Sequence, residues 1–313
     1  MKHRGYVTLK IFIKSASMGK HLDDEIQMYK RIERCSRFHA GRNAVRRLLD
    51  SFDIDGPEGK HRCLVHPPLW ESVRTFLHRN PVRRLPVPVL AFVLKRVFLA
   101  LDYLHTECQV IHTAPILCDF GSAVPGDIEH SEDIQPDIYR APEVILEAPW
   151  GYKVDIWNVG CMIWDVFEGG SLFTGYDPEF QAYRSRAHLA EIIRLLGPPP
   201  PELLAKGRLR HKFFSDDGDI LAQSLLGDRI PLEDRETSFE GLDKTRFLIF
   251  VRKMLQWDPN KRSSAKELLE DEWICENTRQ GAKHLRVRHS KTGNLPILPD
   301  CLRNQHVLAA ESG

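Results

Sequence analysis

The chain has no long hydrophobic run. The longest, around Val87 to Leu94, stops far short of the ~20 residues a membrane-spanning helix needs. The start, Met1-Lys2-His3-Arg4-Gly5, lacks the apolar core of a secretory signal. An excess of one charge is missing too. With 44 basic and 43 acidic residues the formal charge is +1, so no global field argues for nucleic acid or membrane. Cysteines are present without a pattern: Cys35, Cys63, Cys108, Cys118, Cys161, Cys275 and Cys301 are widely spaced, with no Cys-x-x-Cys. That usage reads as reduced, mostly buried thiols in a cytoplasmic or nuclear protein. A zinc site is the sharper alternative, and it lacks the paired spacing such sites use. Glycine is scarce at the start, where Gly5 is the only one before Lys10.

What remains is globular: 42% hydrophobic and 28% charged, enough chain for one large or two small domains. Tyr6 to Ile13 alternates and is β-branched and aromatic, which predicts a strand. Leu22, Ile26, Tyr29 and Ile32 fall at helical spacing, with acids early and bases late as the helix dipole favours. Asn43 to Phe52 and Cys63 to Val65 read as two strands around Gly56-Pro57-Glu58-Gly59. A helix is expected over Glu71 to Asn80. Val89 to Glu107 is a strong amphipathic pattern through Leu90, Val93, Leu94, Val97, Phe98, Leu101 and Leu104. Three motifs follow in order: Asp119-Phe120-Gly121, Tyr139-Arg140-Ala141-Pro142-Glu143, and Asp155-Ile156-Trp157-Asn158-Val159-Gly160-Cys161.

Asp-Phe-Gly followed by Ala-Pro-Glu resembles the magnesium loop and the end of the activation segment in protein kinases. The resemblance runs from about Tyr6 to Ile274 and implies a two-lobed α+β fold. A truncated N-lobe sheet would span 1–66 and a mainly helical C-lobe 67–275, with a loosely ordered tail over 276–313. It implies that Lys10 holds the ATP phosphates and pairs with Glu25, that Leu69 offers its N–H to adenine, and that Asp119 chelates Mg2+. Read alone, Lys10 is a solvated strand residue and Glu25 a first-turn acid serving the dipole. The segment Leu255 to Arg262 resembles the one whose arginine, here Arg262, forms a buried ion pair with Glu143. Asp155 would tether the catalytic loop, and with that loop missing it reverts to a helix-start acid.

The catalytic loop itself does not fit. The pattern His-x-Asp-x-x-x-x-Asn, counted from His112, puts its base at Ala114 and its second metal ligand at Asp119, already occupied by the Asp-Phe-Gly motif. No catalytic base is retained, and the residues before Lys10 are too few for a Gly-x-Gly-x-x-Gly lid. Faithful flanks around a missing block resemble a skipped coding segment more than scattered loss of function.

Leu48 to Phe52, Cys118 to Ala123, Gln135 to Glu143, Val154 to Met162 and His188 to Gly197 are similar to the serine/threonine kinases of arginine/serine-rich splicing factors, fungal ones above all. That implies ATP-dependent phosphoryl transfer to Ser in arginine/serine-rich proteins by a monomer, with no direct nucleic-acid or membrane partner. Arg184 and Arg186 stand where that group carries acids, and are expected to repel a basic substrate. The acidic activation segment (Asp127, Glu129, Glu132, Asp133, Asp137) could attract one, or could simply be solvated. Two readings stay open: a kinase impaired in this chain, or a pseudokinase-type binding scaffold.

Overall fold

The computed structural model describes residues 6–12, 18–57, 59–69, 72–113 and 119–281. The first part is a three-stranded antiparallel sheet in the order β1-β3-β2. It consists of β1 (Thr8–Ile11), β2 (Asp50–Gly56) and β3 (Gly59–His66). Lys10 sits opposite Leu64 in the register. β1 is shorter than the Tyr6–Ile13 expected, and Asn43 to Leu49 is not strand. Ala40–Ala44 forms a 3-10 turn instead, capped by the His39 side chain accepting from the Gly41 N–H. Gly41 is required there, because a Cβ would lie 1.8 Å from the Leu99 carbonyl oxygen.

Between β1 and β2 lies α1 (Met18–Arg34), longer than the Leu22–Ile32 periodicity predicted. It buries Met28, Tyr29 and Ile32. These residues join Val45, Tyr103, Leu104, Val110 and Phe120 in a small core.

The helical part begins with α2 (Val73–Arg79) and α3 (Val87–Asp102). α3 starts with Pro88 in its first turn, where the missing N–H costs nothing. Its helical winding continues, loosened to π geometry, through Tyr103–Glu107. A short antiparallel pair, β4 (Val110–Ile111) with β5 (Val124–Pro125), brackets the segment that carries Asp119-Phe120-Gly121. Then come α4 (Pro142–Ile145), α5 (Lys153–Ile163) and the β6–β7 hairpin (Tyr176–Asp177, Ala182–Tyr183). The body closes with α6 (Ser185–Leu196), α7 (Pro201–Lys206), α8 (Arg210–Phe213), α9 (Leu232–Arg235), α10 (Gly241–Arg252) and α11 (Ala265–Leu269).

The large core is assembled here from α3, α5, α6 and α10, around Phe98, Trp157, Phe173, Phe247 and Phe250. Residues 272–281 are helical as well. The first six positions of the tail expected to be loose therefore continue a helix, with Thr278 donating its hydroxyl to the Ile274 carbonyl. The rest of that tail lies outside the described residues. So do Ala114 to Cys118, where Ala114 stands at the base position and a strand was expected.

Candidate active site

β1 and α1 cooperate to fix one ammonium group. Lys10 projects from β1, and its Nζ donates to Glu25 Oε2 at 2.7 Å and to Asp119 Oδ1 at 2.9 Å. Three residues separated by up to 109 positions thus meet at one nitrogen. Glu25 is buried, whereas Asp119 is 60% exposed. α1 begins seven residues before Glu25 and carries no acid in its first turn. A dipole role for Glu25 is therefore excluded, and its position faces Lys10 instead.

The environment splits the two carboxylates. Burial raises the Glu25 pKa, and its bond to Lys10 offsets that only in part. Burial also acts to raise Asp119, but the bonds from Lys10 and from the Gly121 N–H outweigh it and hold Asp119 below its ordinary value. Burial acts to lower the Lys10 ammonium, and its two carboxylate partners overturn that and raise it. Gly121 gives the turn its room: an added Cβ would lie 3.2 Å from Asp119 Oδ1.

Phe120 anchors this turn. It is fully buried and meets Tyr29 of α1 and His112 edge-to-face, with centroids 5.2 and 5.0 Å apart. The histidine at the end of β3 is a site neighbour that the motifs do not single out. His66 is buried, lies 5.3 Å from the Tyr29 ring, and is bonded through Nδ1 to the Arg47 carbonyl. Burial lowers its pKa. A polar residue closing the apolar run Cys63-Leu64-Val65 was the available signal. Leu69 follows on exposed chain, 55% accessible, and is not drawn into the cluster.

Asp155 departs from expectation. It does not serve merely as a helix-start acid: its carboxylate accepts the backbone N–H groups of His112 (2.8 Å) and Thr113 (2.7 Å), and lies 2.9 Å from His105 Nε2. The segment after β4 is thereby held to the start of α5. Thr113 has φ +63°, a left-handed conformation that a β-branched residue adopts only under constraint. Its hydroxyl donates to the Ser122 carbonyl, tying the segment after β4 to the one before β5.

The remaining scaffold is tightly paired. Arg262 donates to both oxygens of Glu143 at 2.6 and 2.7 Å, with both side chains essentially inaccessible. Its guanidinium also lies 4.9 Å from the centroid of the Trp157 ring. Most acids of the activation segment are engaged internally: Asp127 with Arg31, Asp133 and Asp137 with Arg140, Glu132 with His130. Arg186 is not a free repulsive charge either. It is bidentate to the buried Asp177 and also meets Glu179, while Arg184 lies over the Phe180 ring.

An ammonium fixed beside an exposed, readily ionised carboxylate can meet a phosphate and a divalent cation together. Among the described residues no group of three or more His, Cys, Asp or Glu could hold a metal. Mg2+ needs no such cage, since it is commonly held by one or two carboxylates with phosphate oxygens and water. The donor set around Asp119 fits an ion that arrives on a nucleotide.

Comparison with known proteins gives the family. The protein kinase domain family matches residues 115–274, about half of the chain. A serine/threonine protein kinase of Aspergillus fumigatus is 39% identical over 317 residues, covering 87% of this chain and 78% of that protein. A serine/threonine-protein kinase SRPK of Physarum polycephalum is 26% identical over 343 residues, covering 86% and 80%. A dual specificity tyrosine-phosphorylation-regulated kinase of mouse is 26% identical over 311 residues, covering 88% of this chain and 51% of its own. The chain belongs to the protein kinase family, among relatives that are serine/threonine kinases, and has its α+β fold.

Proposed function

We propose that this kinase-family chain keeps the nucleotide-holding half of the active site and is impaired in phosphoryl transfer. In this reading Lys10 holds the ATP phosphates, oriented by Glu25, and Asp119 holds Mg2+. Bound MgATP would supply the transferable phosphoryl group and the charge neutralisation for its departure. Leu69 is the candidate adenine contact. Glu143, Arg262 and Asp155 hold the helical lobe and the loop stub.

The observation that carries the reading is the Lys10–Glu25–Asp119 cluster, formed at 2.7 and 2.9 Å next to a sequence with Ala114 at the base position. Loss of a positioned base typically costs about 10²–10⁴ in rate, before the second metal ligand is counted. The family activity is ATP-dependent transfer to serine, and arginine/serine-rich proteins are the substrate class we favour. The support is the sequence similarity and a relative named SRPK. Charge gives little help either way, because Arg186 and most activation-segment acids are paired internally.

The test uses purified chain, radiolabelled ATP and an arginine/serine peptide. No turnover near the usual kinase range of roughly 1 per second or faster is expected, together with a rise in melting temperature at millimolar MgATP that Asp119→Asn abolishes. Turnover in the kinase range sinks the impairment. An unchanged melting temperature sinks nucleotide binding and leaves the second reading, a pseudokinase-type scaffold. The intact Glu143–Arg262 lobe favours that second reading, since it closes without the missing block. We place the chain, as a monomer, in cytoplasm or nucleus. Among the described residues no helix is long and apolar enough to cross a membrane.

A further inference from the structure

A second site lies on the far end of α1. Lys30, Glu33, Arg34, Arg37, Arg42 and Arg47 line a cleft of about 640 Å³. Five cations face one carboxylate there, in a protein whose overall charge is only +1. Like charges gathered around one concavity repel, so their collection needs a counter-charge.

The chain supplies little of it. Lys30, Arg34, Arg37 and Arg47 form no ion pair among the described residues, whereas Arg31 of the same helix is matched to Asp127. The helix dipole does not account for the cluster. Arg34 lies in the last turn of α1, where a cation is favourable, but Arg37, Arg42 and Arg47 come from the segment beyond it. Arg42 already closes the helix end: its Nη1 donates to the Ile32 and Cys35 carbonyls and to the Tyr103 hydroxyl. It is therefore a positioned guanidinium, with no carboxylate partner among the described residues. The others reach the cleft from two chain segments that converge on it.

We propose that this cleft binds a compact polyphosphate, a small molecule or headgroup carrying several phosphates. The volume falls in the range of small-ligand sites, about 300–1,000 Å³. Arginine's planar fork suits phosphate oxygens, and four arginines with a lysine suit several phosphates rather than one. Five cations lining one concavity suit a compact ligand rather than an extended strand.

Calorimetry on the full chain in about 150 mM salt tests this, with inositol hexakisphosphate as the soluble probe and vesicles containing a phosphatidylinositol bisphosphate as the headgroup probe. Saturable binding with 1:1 stoichiometry is expected for at least one probe, and which one binds identifies the source. Arg34→Glu with Arg37→Glu should weaken it at least roughly tenfold, while Lys206→Glu with Lys212→Glu, outside the cleft, should not. If the first pair fails to fold, as read by its melting curve, Arg47→Glu replaces it. Three outcomes overturn the proposal: no binding of either probe below millimolar concentration, equal loss in both charge-reversed pairs, or displacement of the probe by MgATP, which would put it at Lys10.

Discussion

The sheet and the helical body treat their apolar residues in opposite ways. In the body, large residues close on one another: Trp157, Phe173, Phe247 and Phe250 are essentially inaccessible, and the equally buried Glu143–Arg262 pair lies against the Trp157 ring. In the sheet, Leu9, Ile11, Phe52 and Ile54 remain 38–50% exposed. On the strand between, Cys63 and Leu64 are both fully buried, Leu64 opposite Lys10 in the register. The outer strands leave Leu9, Ile11, Phe52 and Ile54 half covered, whereas the helices of the body cover each other on several sides. The site lies at the meeting of the two, with Lys10 and Glu25 from the first region and Asp119 from the second.

The contrast is open to attack from the body first. Glu143→Ala should destabilise the chain by about 3–5 kcal/mol in urea unfolding, since Arg262 would remain buried without its partner. A loss under about 1 kcal/mol would mean that the lobe is far looser than its packing implies. Asp155→Ala comes next, at about 1–3 kcal/mol for each of the two backbone N–H groups it leaves unsatisfied. Hydrogen exchange at His112 and Thr113 should accelerate in that variant.

A pH effect of intermediate size follows from His188, which packs 5.0 Å from the Phe173 ring. Burial pushes its pKa down to about 3 from an unfolded value of 6.5. Between those values the unfolded chain takes a proton that the folded chain refuses. Stability should therefore fall as pH drops below ~6.5, by about 1.4 kcal/mol per pH unit from this residue alone. His188→Gln should flatten that limb by one proton, with a smaller contribution left from His66, whose pKa is lowered in the same direction. An unchanged acid limb in His188→Gln would show that the residue does not stay neutral. The smallest effect belongs to the sheet. Ile11→Thr, half exposed on a strand, should stay within about 0.5 kcal/mol of the parent, and a larger loss would reveal that its face is covered in solution.

Much of this was legible before any coordinates. Asp119-Phe120-Gly121, Ala141-Pro142-Glu143 and Arg262 sit at separations that one fold family uses, and helical periodicity located α1 and α3 to within a few residues. The strand around Asn43 to Leu49 was misread, because the close approach of Gly41 to the Leu99 carbonyl sets a turn there that no local pattern announces. The roles of Asp155 and Arg186 were misjudged for a related reason. Each depends on partners brought up by folding: the backbone N–H groups of His112 and Thr113, and a buried Asp177.

The sequence by itself determined the family and located the strand at Lys10 and helices α1 and α3, since motif spacing and residue identity are properties of the chain alone. Tertiary structure decided which charges count. It joined Lys10, Glu25 and Asp119 across 109 positions, neutralised Arg186, and gathered unpaired cations from α1 and the segment after it into one cleft. Electrostatic energy depends on distance and burial, and neither exists until the chain has folded.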